Sequence, residues 1–458
     1  MTRRQLQRVL VANRGEIAVR IIHACQALGL ETVLAASQAD LDTLPARMAG
    51  RAVCIGPAPS SQSYLRIDAL IAAAQGTGCD ALHPGYGFLA ESEGLAQACA
   101  DEGIVFVGPT PAQIRDMGNK ISARALAREA GVPLLPGSDK VADADAAAEV
   151  AGSIGYPVLL KAAAGGGGRG MKVVERTEDL PQAFAAASAE ARNAFGDDTL
   201  YLERYIANAR HVEVQVLGDA HGHLVHLGER DCSLQRRHQK VVEESPAPAL
   251  AAATRDAIRA AAVTLARAIE YRNAGTVEFI VDGDTGEFFF LEMNTRIQVE
   301  HPVSEMVSGI DLVQEQLRVA AGEPLRYRQR GVVLRGHAIE CRINAEVPAE
   351  NFRPSPGRIT AWSPPSGPNI RLDTHCHAGC VVPIHYDSML AKLIVYGRDR
   401  DEAIARMRAA LARFFIEGIG TTLPFLRHAI VHPDFAAGRL NTALVGRMIE
   451  EMRAQAAV

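Results

Sequence analysis

No stretch of this 458-residue sequence approaches the roughly 20 consecutive apolar residues that a membrane-spanning helix needs. Behind a basic start, the apolar run Val9–Ala12 is too short for the core of a signal peptide and instead predicts a first strand. The formal net charge is −5, so charge favours neither nucleic acid nor an anionic membrane as a partner. We therefore expect a cytoplasmic protein without nucleic-acid or membrane partners.

A disulfide framework is also missing. The eight cysteines are scattered, mostly singly inside apolar segments such as those around Cys25 and Cys54, which is typical of reduced core cysteines. The segment His375–Cys380 differs, because it holds two histidines and two cysteines and so invites a zinc interpretation. The sequence has no second ligand pair at zinc spacing elsewhere, so we do not expect zinc there.

Two common nucleotide-binding motifs are absent. The turn after the first predicted strand is Asn13-Arg14-Gly15-Glu16, which is not the Gly-x-Gly-x-x-Gly of dinucleotide sites. The glycine run 165–168 follows Lys161 between two predicted strands, whereas a Walker A loop leads into a helix. Four glycines predict either a flexible loop or a flap whose backbone N–H groups approach phosphates, and Lys161 beside them favours the flap.

The predicted elements divide the chain into three units with an α/β (α+β) fold. Residues 8–115 alternate apolar runs with helix patterns, which predicts βαβ units and a doubly wound parallel sheet. We place the domains at 1–117, at 118–334 with a lid at about 134–206, and at 335–447, the last one α+β.

The segment Glu292–Glu300 alternates polar and apolar residues without interruption. Its polar members are Glu292, Asn294, Arg296, Gln298 and Glu300. In a single extended strand these side chains share one face. Two carboxylates, two amides and a guanidinium in a row predict a metal and an anion held side by side.

The preceding residues predict a β-hairpin with strands 276–281 and 287–291 around a turn near Thr285. Glu278 would then lie opposite Glu292, and a divalent cation between them would reverse the destabilising effect of like charges. Asn294 can add a neutral oxygen, and oxygen ligands favour Mg²⁺ or Mn²⁺. The alternative is a solvated acidic hairpin, which the apolar surroundings of Glu278 disfavour.

Several motifs, taken in order, carry a family resemblance. They are Asn13–Ala18, His83–Phe88, Lys161 with Gly165–Met171, Glu229–Ser233, Arg236–Lys240 with Glu243-Glu244, and Glu292–Glu300 followed by His301-Pro302-Val303. From Val9 to about residue 440 the chain resembles biotin carboxylase of the ATP-grasp superfamily. This resemblance implies an N-terminal biotin carboxylase domain, a central ATP-grasp domain with a mobile glycine-rich lid, and a biotin carboxylase C-terminal domain.

The resemblance also implies a role for each matching residue. ATP would contact Lys120, Lys161, Gly167, Gly168, His211 and His238, with Glu203, Arg204, Tyr205 and Ile206 as a hinge strand along the adenine. Two Mg²⁺ or Mn²⁺ ions would be held by Glu278, Glu292 and Asn294. Bicarbonate would be bound by Lys240, Arg296, Gln298 and Val299. Glu300 would be the general base, Arg342 would face the biotin ureido oxygen, and Tyr86, with His83 and Glu91, would border the same cleft.

The implied activity is the first half-reaction of a biotin-dependent carboxylase: ATP-dependent carboxylation of biotin by bicarbonate through carboxyphosphate. No Ala-Met-Lys-Met biotinylation motif is present, and the nearest string, 170–173, belongs to the predicted flap hairpin. We therefore expect a stand-alone subunit of an acetyl-CoA, other acyl-CoA or pyruvate carboxylase. Its partners would be a biotin carboxyl carrier protein, carboxyltransferase subunits and a second copy in a homodimer.

Two other functions remain open. A different ATP-grasp carboxylate–amine ligase would keep the metal residues, but not Lys240, Gln298, Glu300 and Arg342 together. A catalytically silent nucleotide-sensing subunit would lack Arg296 or Glu300, and both are present.

Overall fold

The computed structural model describes residues 5–138, 140–163 and 171–456. The strands are β1 (Arg8–Val11), β2 (Glu31–Ala36), β3 (Arg51–Cys54), β4 (Ala81–His83), β5 (Val105–Phe106), β6 (Val158–Ala162), β7 (Met171–Val174), β8 (Leu200–Arg204), β9 (Ala209–Gly218), β10 (Leu224–Arg236), β11 (Gln239–Ser245), β12 (Asn273–Asp282), β13 (Phe288–Asn294), β14 (His337–Asn344), β15 (Glu346–Val347), β16 (Arg353–Pro354), β17 (Gly357–Arg358), β18 (Ala361–Ser363), β19 (Ile370–Thr374), β20 (Val381–Val382), β21 (Met389–Gly397) and β22 (Phe415–Glu417).

The helices are α1 (Gly15–Ala27), α2 (Leu44–Met48), α3 (Ile67–Thr77), α4 (Glu93–Asp101), α5 (Pro111–Gly118), α6 (Lys120–Glu129), α7 (Ala144–Ile154), α8 (Leu180–Phe195), α9 (Ala252–Ala268), α10 (His301–Ser308), α11 (Leu312–Ala320), α12 (Arg400–Arg413), α13 (Leu423–Val431), α14 (Pro433–Ala436) and α15 (Leu444–Ala456). Among the helices of the described ranges, none combines the length and apolar character that a bilayer crossing requires.

The N-terminal part forms a parallel sheet with strand order β3-β2-β1-β4-β5. The predicted doubly wound parallel sheet is confirmed, and its first strand, expected at Val9–Ala12, runs from Arg8 to Val11. The Asn13 side chain donates 2.7 Å hydrogen bonds to the carbonyls of Pro84 and Tyr86. These bonds tie the loop after β1 to the loop after β4, at the carboxyl ends of both strands.

A second, antiparallel sheet has strand order β13-β12-β9-β10-β11-β14-β21-β19. It runs without interruption from the middle of the chain into its C-terminal part. Every residue of β9 is buried, and Val212, Val214 and Val216 pack in one hydrophobic cluster with α9. The alternate residues of β9 therefore lie on the opposite face of the sheet.

The β12–β13 hairpin confirms one prediction, and the residues after it correct another. Glu278 lies opposite Glu292, as expected. However, β13 ends at Asn294, and Glu300 lies in a turn directly before α10. The prediction of one strand through residue 300 is wrong, because Ile297 is buried in a cluster with the N-terminal sheet and Pro302 opens a helix.

A smaller sheet with order β7-β6-β8 carries residues expected near the nucleotide. Strands β6 and β7 lie on either side of the glycine run, as predicted. The hinge strand expected at 203–206 ends two residues earlier, because β8 ends at Arg204. The Tyr205 N–H still donates to the Pro157 carbonyl at 3.1 Å, next to the last β6–β8 pair. The glycine run, with Gly167 and Gly168, lies outside the described residues.

Candidate active site

A transverse row of charged side chains crosses four neighbouring strands. Arg230 of β10 is aligned with Glu213 of β9, which is aligned with Glu278 of β12, which is aligned with Glu292 of β13. Aligned residues of antiparallel strands project to the same face. Arg230 Nε donates to Glu213 at 2.6 Å, so this row sets two buried carboxylates, Glu213 and Glu278, and the half-buried Glu292 beside one guanidinium.

Lys240 is the main cation facing this row. Its Nζ atom lies 2.6 Å from Glu213, 2.9 Å from Glu278 and 2.6 Å from Glu300. Burial opposes its charge, but attraction by the three carboxylates raises the pKa of Lys240 well above its ordinary value. Lys240 thus stays protonated and joins the hairpin carboxylate Glu278 to Glu300.

A two-residue turn joins β10 to β11 just before Lys240. Arg237 and His238 both have left-handed backbone angles, with φ of 48° and 64°. Such turns match the twist of a two-stranded hairpin and fix its register. The turn therefore sets which residue of β11 faces the acidic row.

Glu300 is fully buried between two cations. Besides Lys240, it accepts a 2.9 Å hydrogen bond from Arg342 on β14. Burial alone would raise the pKa of Glu300, but attraction by Lys240 and Arg342 lowers it below the ordinary range. Arg342 also contacts Glu243, whose pKa is raised to about 7 by burial, with Arg342 opposing that shift. Glu300 is therefore ionised at neutral pH and can accept a proton.

The polar residues after β13 converge on the same point without sharing a strand. The Asn294 and Gln298 amides each donate to Glu278 Oε1 at 2.9 Å. Arg296 donates to Asn294 Oδ1 at 3.0 Å and to Gln298 Oε1 at 3.3 Å. Its Nε also donates to Glu91 at 2.9 Å. The bend after Asn294 thus gathers the predicted anion ligands beside the hairpin.

The paired carboxylates of the hairpin fit a hard divalent cation. Burial, and then the charge of Glu278, raises the pKa of Glu292, with Lys120 opposing the shift. Glu278 has Lys240 and, at 3.0 Å, the His211 imidazole as partners. Of the two carboxylates, Glu292 is therefore the one whose negative charge is less compensated by nearby cations. Asn294, at the end of the same strand, offers an amide oxygen. Two carboxylates and an amide oxygen suit Mg²⁺.

The residues expected to contact the nucleotide lie beside this hairpin. Lys161 Nζ donates to Glu203 at 3.0 Å, and attraction by Glu203 outweighs burial and raises the pKa of Lys161. Burial lowers the pKa of Lys120, with Glu292 opposing that shift. Burial, followed by the charge of Lys161, also lowers the pKa of His238. The charges of Lys120 and Lys161 both oppose the burial that raises the pKa of Glu292, and His238 is a neighbour of Lys161.

Lys392 lies between the residues that are expected to bind biotin and the loop that contains Val299. It is fully buried on β21, aligned with Arg342 on β14. Its Nζ donates to the Val299 carbonyl at 2.8 Å and lies 5.9 Å from the centre of the Tyr86 ring. Glu16 is a further neighbour, with its carboxylate 3.3 Å from Nζ. The aligned pair Arg342–Lys392 thus brings Tyr86 and Val299 to one place.

Several residues of this site were not predicted from the sequence. Glu213 belongs to the alternating polar set His211, Glu213 and Gln215 of β9, the same signal that singled out residues 292–300. Lys392 is an isolated lysine in the apolar strand β21 and gives no such signal. Its importance follows only from the pairing of distant strands.

Comparison with known proteins covers nearly the whole chain. Residues 5–114 match the family model "Biotin carboxylase, N-terminal domain", and 340–447 match "Biotin carboxylase C-terminal domain". Residues 119–328 match "Carbamoyl-phosphate synthase L chain, ATP binding domain". Biotin carboxylase of Allochromatium vinosum is 51% identical over 97% of this chain and 99% of its own length. Biotin carboxylase 1 of Bacillus subtilis is 51% identical over 95% of this chain and 97% of its own length.

Solved structures agree with these matches. The β,γ-ATP complex of biotin carboxylase from Campylobacter jejuni has a TM-score of 0.94 and 49% identity, covering 97% of this chain and 99% of that one. A second match is the biotin carboxylase domain dimer of 2-oxoglutarate carboxylase from Hydrogenobacter thermophilus, solved with MgADP, ADP and bicarbonate. It has a TM-score of 0.92 and 45% identity, and the match covers 97% of this chain and 98% of that chain. With this fold, this site and these matches, the chain belongs to the biotin carboxylase family of ATP-dependent ligases, which carboxylate biotin.

Proposed function

We propose that this chain carboxylates biotin through carboxyphosphate, with Glu300 as the base that deprotonates bicarbonate. The observation that carries the proposal is the position of Glu300, fully buried and in contact with both Lys240 and Arg342. Lys240 belongs to the proposed bicarbonate site, and Arg342 to the proposed biotin site. One carboxylate thus connects the proposed bicarbonate site with the proposed biotin site.

Bicarbonate would bind to Lys240, Arg296, Gln298 and the Val299 backbone. Arg296 and Gln298 are already oriented by a mutual hydrogen bond. Holding the weakly nucleophilic anion in line with the γ-phosphate makes the bimolecular step effectively unimolecular. Such orientation raises the rate by several orders of magnitude.

The charge balance explains how Glu300 can act as a base despite its lowered pKa. When bicarbonate enters, Lys240 divides its attraction between the new anion and Glu300. The pKa of Glu300 then rises towards a value suited to proton removal. Glu300 takes the proton as a bicarbonate oxygen attacks the γ-phosphorus and the bond to ADP breaks, giving carboxyphosphate and ADP.

The phosphates would be held from two sides. Lys120, Lys161, His211 and His238 would face the nucleotide, with Glu203, Arg204, Tyr205 and Ile206 along its base and Gly167 and Gly168 over the phosphates. Glu278, Glu292 and Asn294 would hold Mg²⁺ or Mn²⁺, as one ion or a pair. Bound there, the metal would supply positive charge that neutralises the phosphate oxygens.

Carboxyphosphate releases CO₂ and phosphate within the closed site, and biotin then receives the CO₂. The N1′ nitrogen of biotin is a poor nucleophile until it is deprotonated, and the phosphate released with CO₂ would take that proton. Arg342 would stabilise the negative charge that then develops on the ureido oxygen. Tyr86, with His83 and Glu91 on the same border of the cleft, would complete the biotin site.

The biotin would be carried by a separate biotin carboxyl carrier protein, with carboxyltransferase subunits completing the carboxylase in the cytoplasm. A dimer of the related 2-oxoglutarate carboxylase domain supports a homodimer for this chain as well. We also propose the boundaries 1–117, 118–334 and 335–447 for its three domains.

Bicarbonate-dependent ATP hydrolysis, measured with and without free biotin, tests the proposal. We expect free biotin to stimulate ADP release, and labelled bicarbonate to appear in carboxybiotin. A folded, ATP-binding protein without biotin stimulation would contradict the proposal and favour another carboxylate–amine ligase. A protein that binds ATP but hydrolyses none would indicate a nucleotide-sensing subunit.

A further inference from the structure

Arg236, the last residue of β10, joins the tip of the β10–β11 hairpin to the C-terminal part of the chain. Its Nη2 atom donates to the Asn351 carbonyl at 2.7 Å and to Asn351 Oδ1 at 3.0 Å. The guanidinium carbon lies 4.4 Å from the centre of the Phe352 ring, within the range of a cation–π contact. We call Arg236, Asn351 and Phe352 the hairpin latch. The latch connects segments that are 115 positions apart in the sequence.

The acceptor side of the latch is fixed by the C-terminal core. Asn351 and Phe352, between β15 and β16, both have left-handed backbone angles, with φ of 56° and 58°. Residues other than glycine adopt this conformation only where the surrounding structure imposes it. Phe352 is buried in the C-terminal cluster and packs edge-on against Phe425, with the ring centres 5.5 Å apart. The ring and the carbonyl that receive Arg236 therefore have set positions.

Strand pairing constrains the hairpin less near its tip than further along. The alignment of β11 with β14 ends at the pair Val242–Cys341, and Lys240 lies beyond that pair, towards the tip. Between β10 and β11 the register shifts on both sides of Leu234, and such irregularities disrupt the ladder locally. The contacts of Arg236 thus add a fixed point beside the segment that carries Lys240.

We propose that Arg236 is a positioning residue for Lys240 and, through Lys240, for bicarbonate, a role that rests on the function proposed above. The Lys240 ammonium lies 2.6 Å from Glu300, and this contact requires the hairpin tip to stay in place. A displacement of about 1 Å in a positioned group can cost about 10²-fold in rate. The planar guanidinium suits the role, because it can donate to Asn351 and stack on an aromatic ring at once, whereas a lysine ammonium is a point charge.

Steady-state kinetics of bicarbonate-dependent ADP release test the proposal. At saturating ATP we expect Arg236→Met to lower kcat/KM for bicarbonate by about ten- to a hundredfold. KM for ATP should change much less, because Lys120 and Lys161 lie outside the hairpin. Arg236→Lys keeps the charge but not the planar group, so it should recover little of the loss.

Two further variants test the latch from its other side. Phe352→Leu keeps an apolar side chain in the core but removes the ring, and it should reproduce part of the loss. The double variant Arg236→Met/Phe352→Leu should be little worse than Arg236→Met, because both changes remove the same contact. Arg353→Met is the matched control, since Arg353 directly follows Phe352 but donates to Glu350 at 2.7 Å, within its own loop. Its kcat/KM for bicarbonate should stay unchanged.

Hydrogen–deuterium exchange of the full chain gives a readout that does not need activity. In Arg236→Met, amides in the segment 236–241 should exchange faster while those of β9 and β12 do not change. Unchanged exchange in that segment would overturn the proposal, whereas an unmodified chain without bicarbonate-dependent hydrolysis would contradict the proposed function instead. In an active protein, an unchanged kcat/KM for bicarbonate in Arg236→Met, full recovery in Arg236→Lys or an equal loss in Arg353→Met would each overturn the proposal.

Discussion

The Lys240 ammonium lies 2.6 Å from the Glu300 carboxylate, so a proposed bicarbonate ligand and the proposed base are in contact before any substrate binds. The contact suppresses the basicity of Glu300 until an anion arrives to share Lys240. This arrangement makes deprotonation depend on bicarbonate being in place, which limits unproductive proton transfer.

Replacing Glu300 by glutamine should abolish most catalysis while preserving ATP binding. The amide keeps the shape of the side chain but cannot accept the bicarbonate proton, so we expect kcat to fall by about 10²–10⁴-fold. Bicarbonate-dependent ADP release and nucleotide affinity, measured in parallel, check this. Glu243→Gln is a matched control, because Glu243 is also fully buried against Arg342. Its loss of rate should be much smaller, and equal losses would assign the effect of Glu300 to Arg342 positioning.

Replacing Glu292 by glutamine should stabilise the metal-free protein and reduce the further stabilisation that Mg²⁺ gives. Glu292 faces Glu278 across the hairpin and carries the excess negative charge. Without metal, removing that charge should stabilise the fold by roughly 0.5 kcal/mol. With Mg²⁺, the variant should gain less stability than the unmodified protein, because it lacks one ligand. Thermal unfolding across a Mg²⁺ titration measures both effects, and an unchanged Mg²⁺-dependent shift would exclude Glu292 as a ligand.

The Glu278–Glu292 pairing was predictable from the sequence because a short turn fixes the register of the strands on either side of it. The end of β13 at Asn294 was not predictable, because it depends on Ile297 entering a core built with residues of the distant N-terminal sheet. The contact of Lys240 with Glu300 likewise joins residues from β11 and the turn before α10. The types of residue in the site could be recognised locally, whereas their convergence depends on long-range packing.

The unfolding free energy should depend on pH through Glu16. Burial raises the pKa of Glu16 to about 7 from 4.5, with Lys392 opposing the shift. The folded state therefore holds a proton that the unfolded state releases, so this contribution to stability is present below pH 4.5 and is lost as pH rises through 7. Between pH 5 and pH 8 the unmodified protein should lose up to about 3 kcal/mol relative to Glu16→Gln. Urea unfolding of both proteins at the two pH values measures this difference. Parallel pH profiles would show that Lys392 keeps Glu16 ionised.

Replacing Lys392 by methionine should weaken bicarbonate binding without weakening ATP binding. Methionine keeps an unbranched buried chain, but it removes the ammonium that donates to the Val299 carbonyl at 2.8 Å. This hydrogen bond is part-buried, and a carbonyl that loses its donor where water does not replace it costs about 1–3 kcal/mol. The freed loop carries both Val299 and the neighbouring Glu300. We expect KM for bicarbonate to rise by about tenfold, as 1.4 kcal/mol would produce, with KM for ATP unchanged. Steady-state kinetics with each substrate varied in turn separate the two constants. A parallel rise in both would show that Lys392 supports the fold as a whole and not the bicarbonate loop.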